Sequence, residues 1–165
     1  MEQEIIIRPL REEDYAPLAK LYDYYTRNTV YTYYTGAVDA DYMHRLFDGK
    51  GHGCSVAVDG SQTVGYVHIS PMMGLHKPCS MAVYLDTEHV GRKIGPRLVA
   101  EGERLARTLG YKTMRVTVCT ENDRSLKLFD AMGYRHTGLR VADAYKFGRY
   151  LDTALFIKQL DKENQ

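Results

Sequence analysis

The chain has 165 residues, of which 44% are hydrophobic, so it can form one domain with a substantial core but not two. Its 22 Lys and Arg nearly balance its 21 Asp and Glu, so no chain-wide positive field would attract nucleic acid or a membrane surface. The acidic start, followed by only three isoleucines, matches neither a signal peptide nor a transmembrane segment, which predicts a cytoplasmic protein.

The first half of the chain predicts a strand, two helices and a hairpin. Residues 5–7 are three isoleucines typical of a strand, and the polar run at 11–14 precedes apolar residues at helical spacing. Asp39 or Asp41 could cap a second helix that ends near Gly49. Two apolar segments then flank the turn pair at 59–60, which predicts a β-hairpin.

The second half predicts alternating strands and helices. The elements, in chain order, are a strand over 80–85, a helix ending at Gly110, a strand over 113–119, a helix over 122–132, and strands over 134–141 and 150–158 joined by ADAYKFG. The complete order, β-α-α-β-β-β-α-β-α-β-β, predicts an α/β fold with a mixed sheet and helices on both faces. A right-handed crossover would place the fourth and fifth strands side by side and parallel.

Cysteine and histidine spacing argues against disulfides and metal. The three cysteines are widely spaced and odd in number, which suits neither a disulfide framework nor a zinc site. The six histidines include no pair four residues apart that would lie on one helix face. We therefore predict that the protein holds no metal.

The stretch EHVGRKIGPRL at 88–98 places a glycine-bearing turn between a predicted strand and a predicted helix. Such a turn exposes backbone N–H groups at the positive end of the helix dipole, which suits a phosphate. Arg92, Lys93 and Arg97 add positive charge. The spacing of Gly91 and Gly95 matches neither the nucleoside-triphosphate loop nor the dinucleotide fingerprint. A tight turn beside a solvated basic patch is the alternative.

The same stretch resembles the acetyl-CoA loop of the GNAT acetyltransferase superfamily, [RQ]-x-x-G-x-[GA], with residues 90–95 in that frame. The segments IRPLREEDYAPLAKLY and ENDRSLKLFDAMGY resemble the family's opening strand and helix and its N-x-x-S segment. The ending AYKFGRYLD is similar to that of the phosphinothricin acetyltransferase group. The resemblance implies a single GNAT domain over residues 1–165, a mostly antiparallel sheet whose parallel fourth and fifth strands splay apart, and acetyl-CoA as donor.

The resemblance also implies a coenzyme site built largely from main-chain groups. Val83 and Leu85 would pair with the pantetheine arm, and the amides of 91–95 would hold the diphosphate. Arg124 and Lys127 are further candidates for the phosphates. The implied cofactor-binding residues are Val83, Tyr84, Leu85, Val90, Gly91, Arg92, Lys93, Ile94, Gly95, Asn122, Ser125 and Phe129.

Three residues depart from the family pattern. Val90 stands where Arg or Gln is usual, and Lys93 where the middle glycine is usual. A left-handed lysine would cost on the order of 1 kcal/mol, so we expect Lys93 to be right-handed. Phe129 replaces a tyrosine that in many relatives protonates the departing thiolate. A thiol has a pKa of only about 8.5, so this loss should slow the reaction rather than abolish it.

In this superfamily a neutral amine attacks the thioester carbonyl, and a backbone N–H, here near Leu85, stabilises the oxyanion. Glu88 is the first candidate for the base because it follows the strand, and a surface carboxylate is the alternative. His68 could relay the proton or could be a packed strand histidine. Tyr84 faces away from its neighbours Val83 and Leu85 and is also a core candidate.

The acceptor pocket is predicted from tyrosines. Six of them fall between residues 22 and 34, on the segment that covers the acceptor end in the family, and their hydroxyls suit a small polar amine. The candidate substrate-binding residues are Tyr31, Tyr33, Tyr34 and Tyr145. Lys146 could pair with a substrate carboxylate or be an exposed loop lysine.

The leading functional prediction is an acetyl-CoA-dependent N-acetyltransferase for a small amino-acid-like or phosphinothricin-like amine. A protein lysine or N-terminal acetyltransferase is the second enzyme hypothesis. A non-catalytic acyl-CoA-binding module is the third, because Val90, Lys93 and Phe129 all depart from the family pattern. The predicted partner is a small-molecule amine, and the exposed face of the last strands would suit a homodimer.

Overall fold

The computed structural model describes residues 3–161, which form a seven-stranded sheet flanked by helices. The elements are β1 (Ile5–Pro9), α1 (Tyr15–Asn28), α2 (Ala40–Phe47), β2 (Gly53–Asp59), β3 (Gln62–Pro71), β4 (Pro78–Leu85), α3 (Ile94–Thr108), β5 (Thr113–Cys119), α4 (Asp123–Ala131), β6 (Arg135–Lys146) and β7 (Arg149–Gln159). Short 3₁₀ turns precede α1 and follow β4. The predicted order of helices and strands is confirmed.

The sheet has the strand order β1-β2-β3-β4-β5-β7-β6, and every neighbouring pair is antiparallel except β4 and β5. The parallel pairing covers only 78–80 against 113–115. Beyond it, β4 stays paired with β3 and β5 stays paired with β7, so the two central strands diverge. The splayed parallel pair that the resemblance implied is confirmed.

The helices cover both faces of the sheet, as predicted. Alternating residues of a strand point to opposite faces, so neighbours in β2 belong to different clusters. Val56 and Val58 pack with α1 and α2, whereas Ala57 faces the cluster that contains α3 residues and Phe129 of α4. This arrangement leaves the end of the β4–β5 gap between the two helical layers.

The helix ends follow local rules. Asp39, rather than Asp41, caps α2, because its Oδ1 accepts a hydrogen bond of 2.8 Å from the N–H of Tyr42. Gly110 and Gly133 follow α3 and α4 with φ of 86° and 83°, which confirms the predicted left-handed stops.

Asp14 fastens β1, the start of α1 and β3 to one another. Its carboxylate accepts hydrogen bonds from both Arg8 Nη atoms at 2.7 and 2.9 Å, from the N–H of Arg11 at 2.8 Å and from Thr63 Oγ1 at 2.8 Å. Burial raises the pKa of Asp14, but these hydrogen bonds, led by that of Arg8, outweigh it and lower the pKa overall. Asp14 is therefore a buried carboxylate whose negative charge is stabilised by these four hydrogen bonds.

The prediction that ADAYKFG forms a loop is wrong, because β6 continues to Lys146. The small and polar residues of this stretch lie within β6, where a β-bulge between Arg140 and Ala144 accommodates the extra residues. The connection to β7 is only Phe147-Gly148, and both have positive φ, as a type I′ turn requires. Lys146 is consequently not an exposed loop lysine.

Lys146 is 1% exposed, and its Nζ donates a hydrogen bond of 2.7 Å to the carbonyl oxygen of Thr32. Burial lowers its pKa. The side chain thus fastens the segment between α1 and α2 to β6, and its buried ammonium faces the carbonyl oxygen of Thr32 instead of a substrate carboxylate.

The edge of the sheet at β6 and the turn to β7 expose several large apolar side chains: Leu139, Val141, Tyr145, Phe147 and Tyr150. The homodimer that the sequence suggests through this face stays a prediction. Within residues 3–161, no helix combines the length and apolar character needed to cross a membrane.

Candidate active site

The divergence of β4 and β5 opens a cleft of about 700 Å³. The ends of the two strands, 81–85 and 116–119, form its floor and walls. Gly95 in the first turn of α3 borders the cleft, as does the first part of α4. Tyr24, Tyr25 and Tyr31 close it on the side of α1. The cleft therefore lies where two helix N-termini and two strand ends meet.

The hydrogen-bond pattern of β4 shows which of its main-chain groups face this cleft. Asp86 N–H donates to Val64 O at 2.7 Å and Met72 N–H to Pro78 O at 3.1 Å. In an antiparallel pair the direction of these groups alternates along the strand, so the even-numbered residues of β4 bond to β3. Val83 and Leu85 therefore direct N–H and C=O groups towards the gap, where an extended amide chain could pair with them.

Tyr25 reaches this edge from α1. Its hydroxyl donates a hydrogen bond of 2.6 Å to the carbonyl oxygen of Leu85. Its ring packs edge-on against Tyr84 and Tyr24, with centroids at 5.1 and 5.7 Å. Burial raises the pKa of Tyr25, and nearby Arg124 acts in the opposite direction. The interaction leaves Leu85 with its N–H directed to the cleft.

The loop at 90–95 combines two left-handed residues with a helix start. Gly91 has φ of 87°, and Lys93, at the N-cap of α3, has φ of 59° and ψ of 24°. The expectation of a right-handed Lys93 is therefore wrong, because the loop holds this lysine in the left-handed region that glycine adopts most readily. The first N–H groups of α3 have no acceptor within the helix and can hold an anion.

Replacing Lys93 by Gly should stabilise the protein by roughly 0.5–1 kcal/mol, because glycine adopts a left-handed conformation without the steric cost of Cβ. Urea unfolding of the two proteins measures this difference. Lys93→Ala is the control, since it removes the charge and keeps the strain. We expect CoA affinity to change less than about tenfold in Lys93→Gly. A glycine variant less stable than the native protein would contradict the left-handed assignment.

Two arginines that the sequence suggested for the phosphates hold the loop in place. Arg92 donates to Asp59 at 2.7 Å and to the carbonyl oxygen of Gln3 at 3.3 Å. Arg97 donates to the carbonyl oxygen of Ile5 at 2.9 Å. These bonds fasten the loop to β1 and to the β2–β3 turn. Within the described part of the chain, residues 3–161, the cations that line the cleft are Arg124 and Lys127 of α4, which the sequence placed second.

The N-terminus of α4 forms the opposite wall. Asn122 and Ser125 both line the cleft, and Asn122 Oδ1 accepts a hydrogen bond of 3.3 Å from the N–H of Ser125. Phe129 lines it too, with its buried ring edge-on to Tyr134 at 5.1 Å. The three residues predicted for α4 are thus brought together.

Glu88 and His68 lie outside the lining of the cleft. Glu88 is exposed in the turn after β4. His68 pairs with Ala82, three residues before Leu85 and so about 10 Å away along the strand. Its Nε2 lies 2.9 Å from His52 Nδ1, and its ring contacts Phe47. Among residues 3–161, the acidic side chains that line the cleft are Glu121 and Asp123.

His68 should make the protein less stable in acid. Burial, with a smaller effect of His52, lowers its pKa from 6.5 to about 4. Below pH 6.5 the unfolded chain takes up the proton first, so stability is lost between pH 6.5 and about 4, by about 3 kcal/mol in total. Urea unfolding at pH 7 and pH 4 should show a smaller loss in His68→Phe. Exposed His136→Gln is the control, and equal losses in all three proteins would refute the expectation.

The structure separates the predicted substrate tyrosines. Tyr31 lines the cleft. Tyr34 instead stacks on Tyr42 with centroids at 4.6 Å, and burial raises the pKa of Tyr33 to about 12. Tyr145 is exposed on β6 and packs edge-on against Tyr150. Tyr24 and Tyr25, which are not among the candidate substrate-binding residues, line the cleft together with Tyr31.

Residues 18–134 match the family model described as the acetyltransferase (GNAT) family. The chain belongs to the GNAT family. This GNAT chain is 26% identical over 165 residues to the L-amino acid N-acyltransferase MnaT of Escherichia coli (strain K12), covering 96% of each chain. It is 29% identical to the phosphinothricin N-acetyltransferase of Streptomyces coelicolor, covering 95% of this chain and 97% of that one.

A solved structure supports the same family and the same group within it. The GNAT superfamily phosphinothricin acetyltransferase of Sinorhizobium meliloti, in complex with acetyl-CoA, superposes with a TM-score of 0.85 at 25% identity, covering 94% of this chain and 88% of that one. The resemblance to the phosphinothricin acetyltransferase group is confirmed, and so is acetyl-CoA as the acetyl donor of this GNAT enzyme.

The cleft fits this donor. The gap-facing groups of Val83 suit the amides of a pantetheine arm, and the first turn of α3 suits a diphosphate. Arg124 and Lys127 supply positive charge on the facing wall. Among residues 3–161, no group of three or more His, Cys, Asp or Glu side chains could hold a metal ion.

Proposed function

We propose that this GNAT enzyme acetylates the primary amine of a small amino-acid-like or phosphinothricin-like molecule. The observation that carries the proposal is the cleft between β4 and β5, with the N-termini of α3 and α4 on facing walls and Tyr24, Tyr25 and Tyr31 on the side of α1. The relatives named for L-amino acids and phosphinothricin support an acceptor of this class.

In this proposal the chain mainly positions and polarises its substrates. When bound, acetyl-CoA supplies an activated acyl group as a thioester. The N–H of Leu85 donates to the carbonyl oxygen as negative charge develops there. Val83 pairs with the pantetheine arm, the amides of 91–95 hold the diphosphate, and Arg124 and Lys127 offset its charge.

Release of free thiol from acetyl-CoA, measured with a panel of amines, tests the proposal. The panel contains L-methionine sulfone, phosphinothricin, free L-amino acids and lysine-containing peptides. Turnover with one or more small amines supports the proposal. Turnover with peptides alone would instead indicate a protein acetyltransferase. CoA binding without any turnover would indicate an acyl-CoA-binding module.

Phe129→Tyr should preserve activity, with kcat between the native value and about tenfold above it. The ring already lines the cleft, so the added hydroxyl can help protonate the departing sulfur. The same thiol-release assay with saturating acetyl-CoA measures kcat. An inactive native protein that this substitution activates would show that thiolate departure needs an acid.

A further inference from the structure

In the structure, neither Glu88 nor His68, which the sequence suggested as base and proton relay, is placed to contact the acceptor amine. Glu88 is exposed in the turn after β4, and His68 lies about 10 Å along the strand from Leu85. Phe129 has no hydroxyl. Of the two acidic side chains that line the cleft, Asp123 is exposed at the start of α4, and Arg149 holds the carboxylate of Glu121 through two hydrogen bonds of 2.5 and 2.8 Å. Tyr25, in contrast, contacts the end of β4 directly, because its hydroxyl donates a hydrogen bond to the carbonyl oxygen of Leu85.

The position of the Tyr25 hydroxyl follows from the strand geometry. The N–H and C=O of one residue leave an antiparallel strand on the same side. The hydroxyl, 2.6 Å from the oxygen of Leu85, therefore lies beside the Leu85 N–H that faces the gap. The peptide bond after Leu85 is fixed at both ends, because Asp86 N–H donates to Val64 O at 2.7 Å.

The hydroxyl also has the right chemistry for contact with an amine. Its proton is directed to Leu85 O, so the phenolic oxygen can still accept a hydrogen bond from a donor in the cleft that Tyr25 lines. Burial raises the pKa of Tyr25, so the group stays neutral and protonated at neutral pH. Edge-on packing against Tyr84 and Tyr24 limits movement of the ring.

We propose that Tyr25 is a catalytic residue whose hydroxyl oxygen accepts a hydrogen bond from the acceptor amine and turns the nitrogen lone pair towards the acyl carbon. The inference rests on the proposed function. In the reaction the nitrogen lone pair forms the N–C bond, and the C–S bond breaks with its electron pair left on sulfur. The proton that nitrogen releases reaches sulfur through water, and Tyr25 keeps its own proton throughout.

A purely structural role for Tyr25 would be to hold the end of β4. The substitution Tyr22→Phe provides a matched control for this possibility. Tyr22 lies on the same helix and its hydroxyl forms a buried hydrogen bond of 2.8 Å with Thr32 Oγ1, but it lies outside the lining of the cleft. Both substitutions remove one tyrosine hydroxyl together with its hydrogen bonding, and only Tyr25→Phe removes a hydroxyl from a residue that lines the cleft.

The test compares native protein, Tyr25→Phe and Tyr22→Phe with acetyl-CoA and the best small amine of the panel. We expect Tyr25→Phe to lower kcat about tenfold to hundredfold and Tyr22→Phe to leave it within about twofold. Calorimetry adds a readout that is independent of turnover. The affinity of the amine for the CoA complex should fall about tenfold in Tyr25→Phe, as expected for one lost hydrogen bond, while CoA affinity stays within about twofold.

Each other outcome is decisive. Equal kcat in Tyr25→Phe and native protein overturns the inference and leaves the proposed function standing. A loss of CoA affinity that matches the loss of kcat assigns Tyr25 to holding the strand and also overturns it. Failure of the native protein to acetylate any small amine overturns the proposed function, and the inference with it.

Discussion

Gly95→Asp is expected to weaken CoA binding by about 1000-fold or more while the protein stays folded. Gly95 is the second residue of α3 and lines the cleft beside the amides proposed for the diphosphate. A carboxylate about 4 Å from a phosphate costs about 4 kcal/mol at an effective dielectric constant of 20. Each 1.4 kcal/mol corresponds to about tenfold in affinity. Calorimetry with CoA measures the change.

Gly95→Ala is the control for this substitution. A Cβ at this position would meet Leu128 at 3.5 Å, an ordinary contact, and alanine favours a helix over glycine by about 1 kcal/mol. Aspartate in the first turn is likewise favourable to the helix dipole. Both variants should therefore be at least as stable as the native protein in urea. If Gly95→Asp bound CoA as tightly as Gly95→Ala, the diphosphate would not lie at this helix.

Asp14→Ala is expected to reduce the free energy of unfolding by about 3–5 kcal/mol. The substitution removes four hydrogen bonds and leaves Arg8, whose side chain is 17% exposed, as a largely buried charge without its carboxylate. Urea unfolding followed by circular dichroism measures the loss. Glu13→Ala is the neighbouring control, because its pair with Arg11 is exposed and worth little.

The loss should also depend on pH in a defined direction. The pKa of Asp14 is lower in the folded protein than its ordinary value of 3.8. Its stabilisation is therefore complete above pH 3.8 and disappears as the pH falls through the lower folded value. The native protein should lose more stability than Asp14→Ala on acidification below that point. A difference under 1 kcal/mol between the two proteins at pH 7 would mean that Arg8 finds another partner.

The order of elements and the glycine-bearing turn before α3 could be predicted because their signals are local. Periodic apolar residues define each helix and strand, and the glycines at 110 and 133 mark helix ends. The hydrogen bond between Tyr25 and Leu85 joins residues 60 positions apart. It depends on the direction of α1 across the sheet, which no local pattern contains, so six tyrosines in one segment could not be told apart.

Lys146 and Lys93 show two further limits. The stretch ADAYKFG has a loop-like composition, but the bulge in β6 lets it pair, and pairing carries Lys146 into the interior. Residue propensity argues against a left-handed lysine, but the loop between β4 and α3 imposes that conformation on Lys93. In both cases tertiary context outweighs a local preference of about 1 kcal/mol.

The gap between β4 and β5 couples binding of the donor to the stability of the folded protein. A pantetheine arm that pairs with Val83 would add hydrogen bonds along the open edge of β4. Binding of the donor would therefore also extend the sheet. A ligand present at 100 times its Kd stabilises a folded chain by about 2.7 kcal/mol. Without bound donor, the folded chain would therefore unfold more readily and be cleaved more readily by proteases.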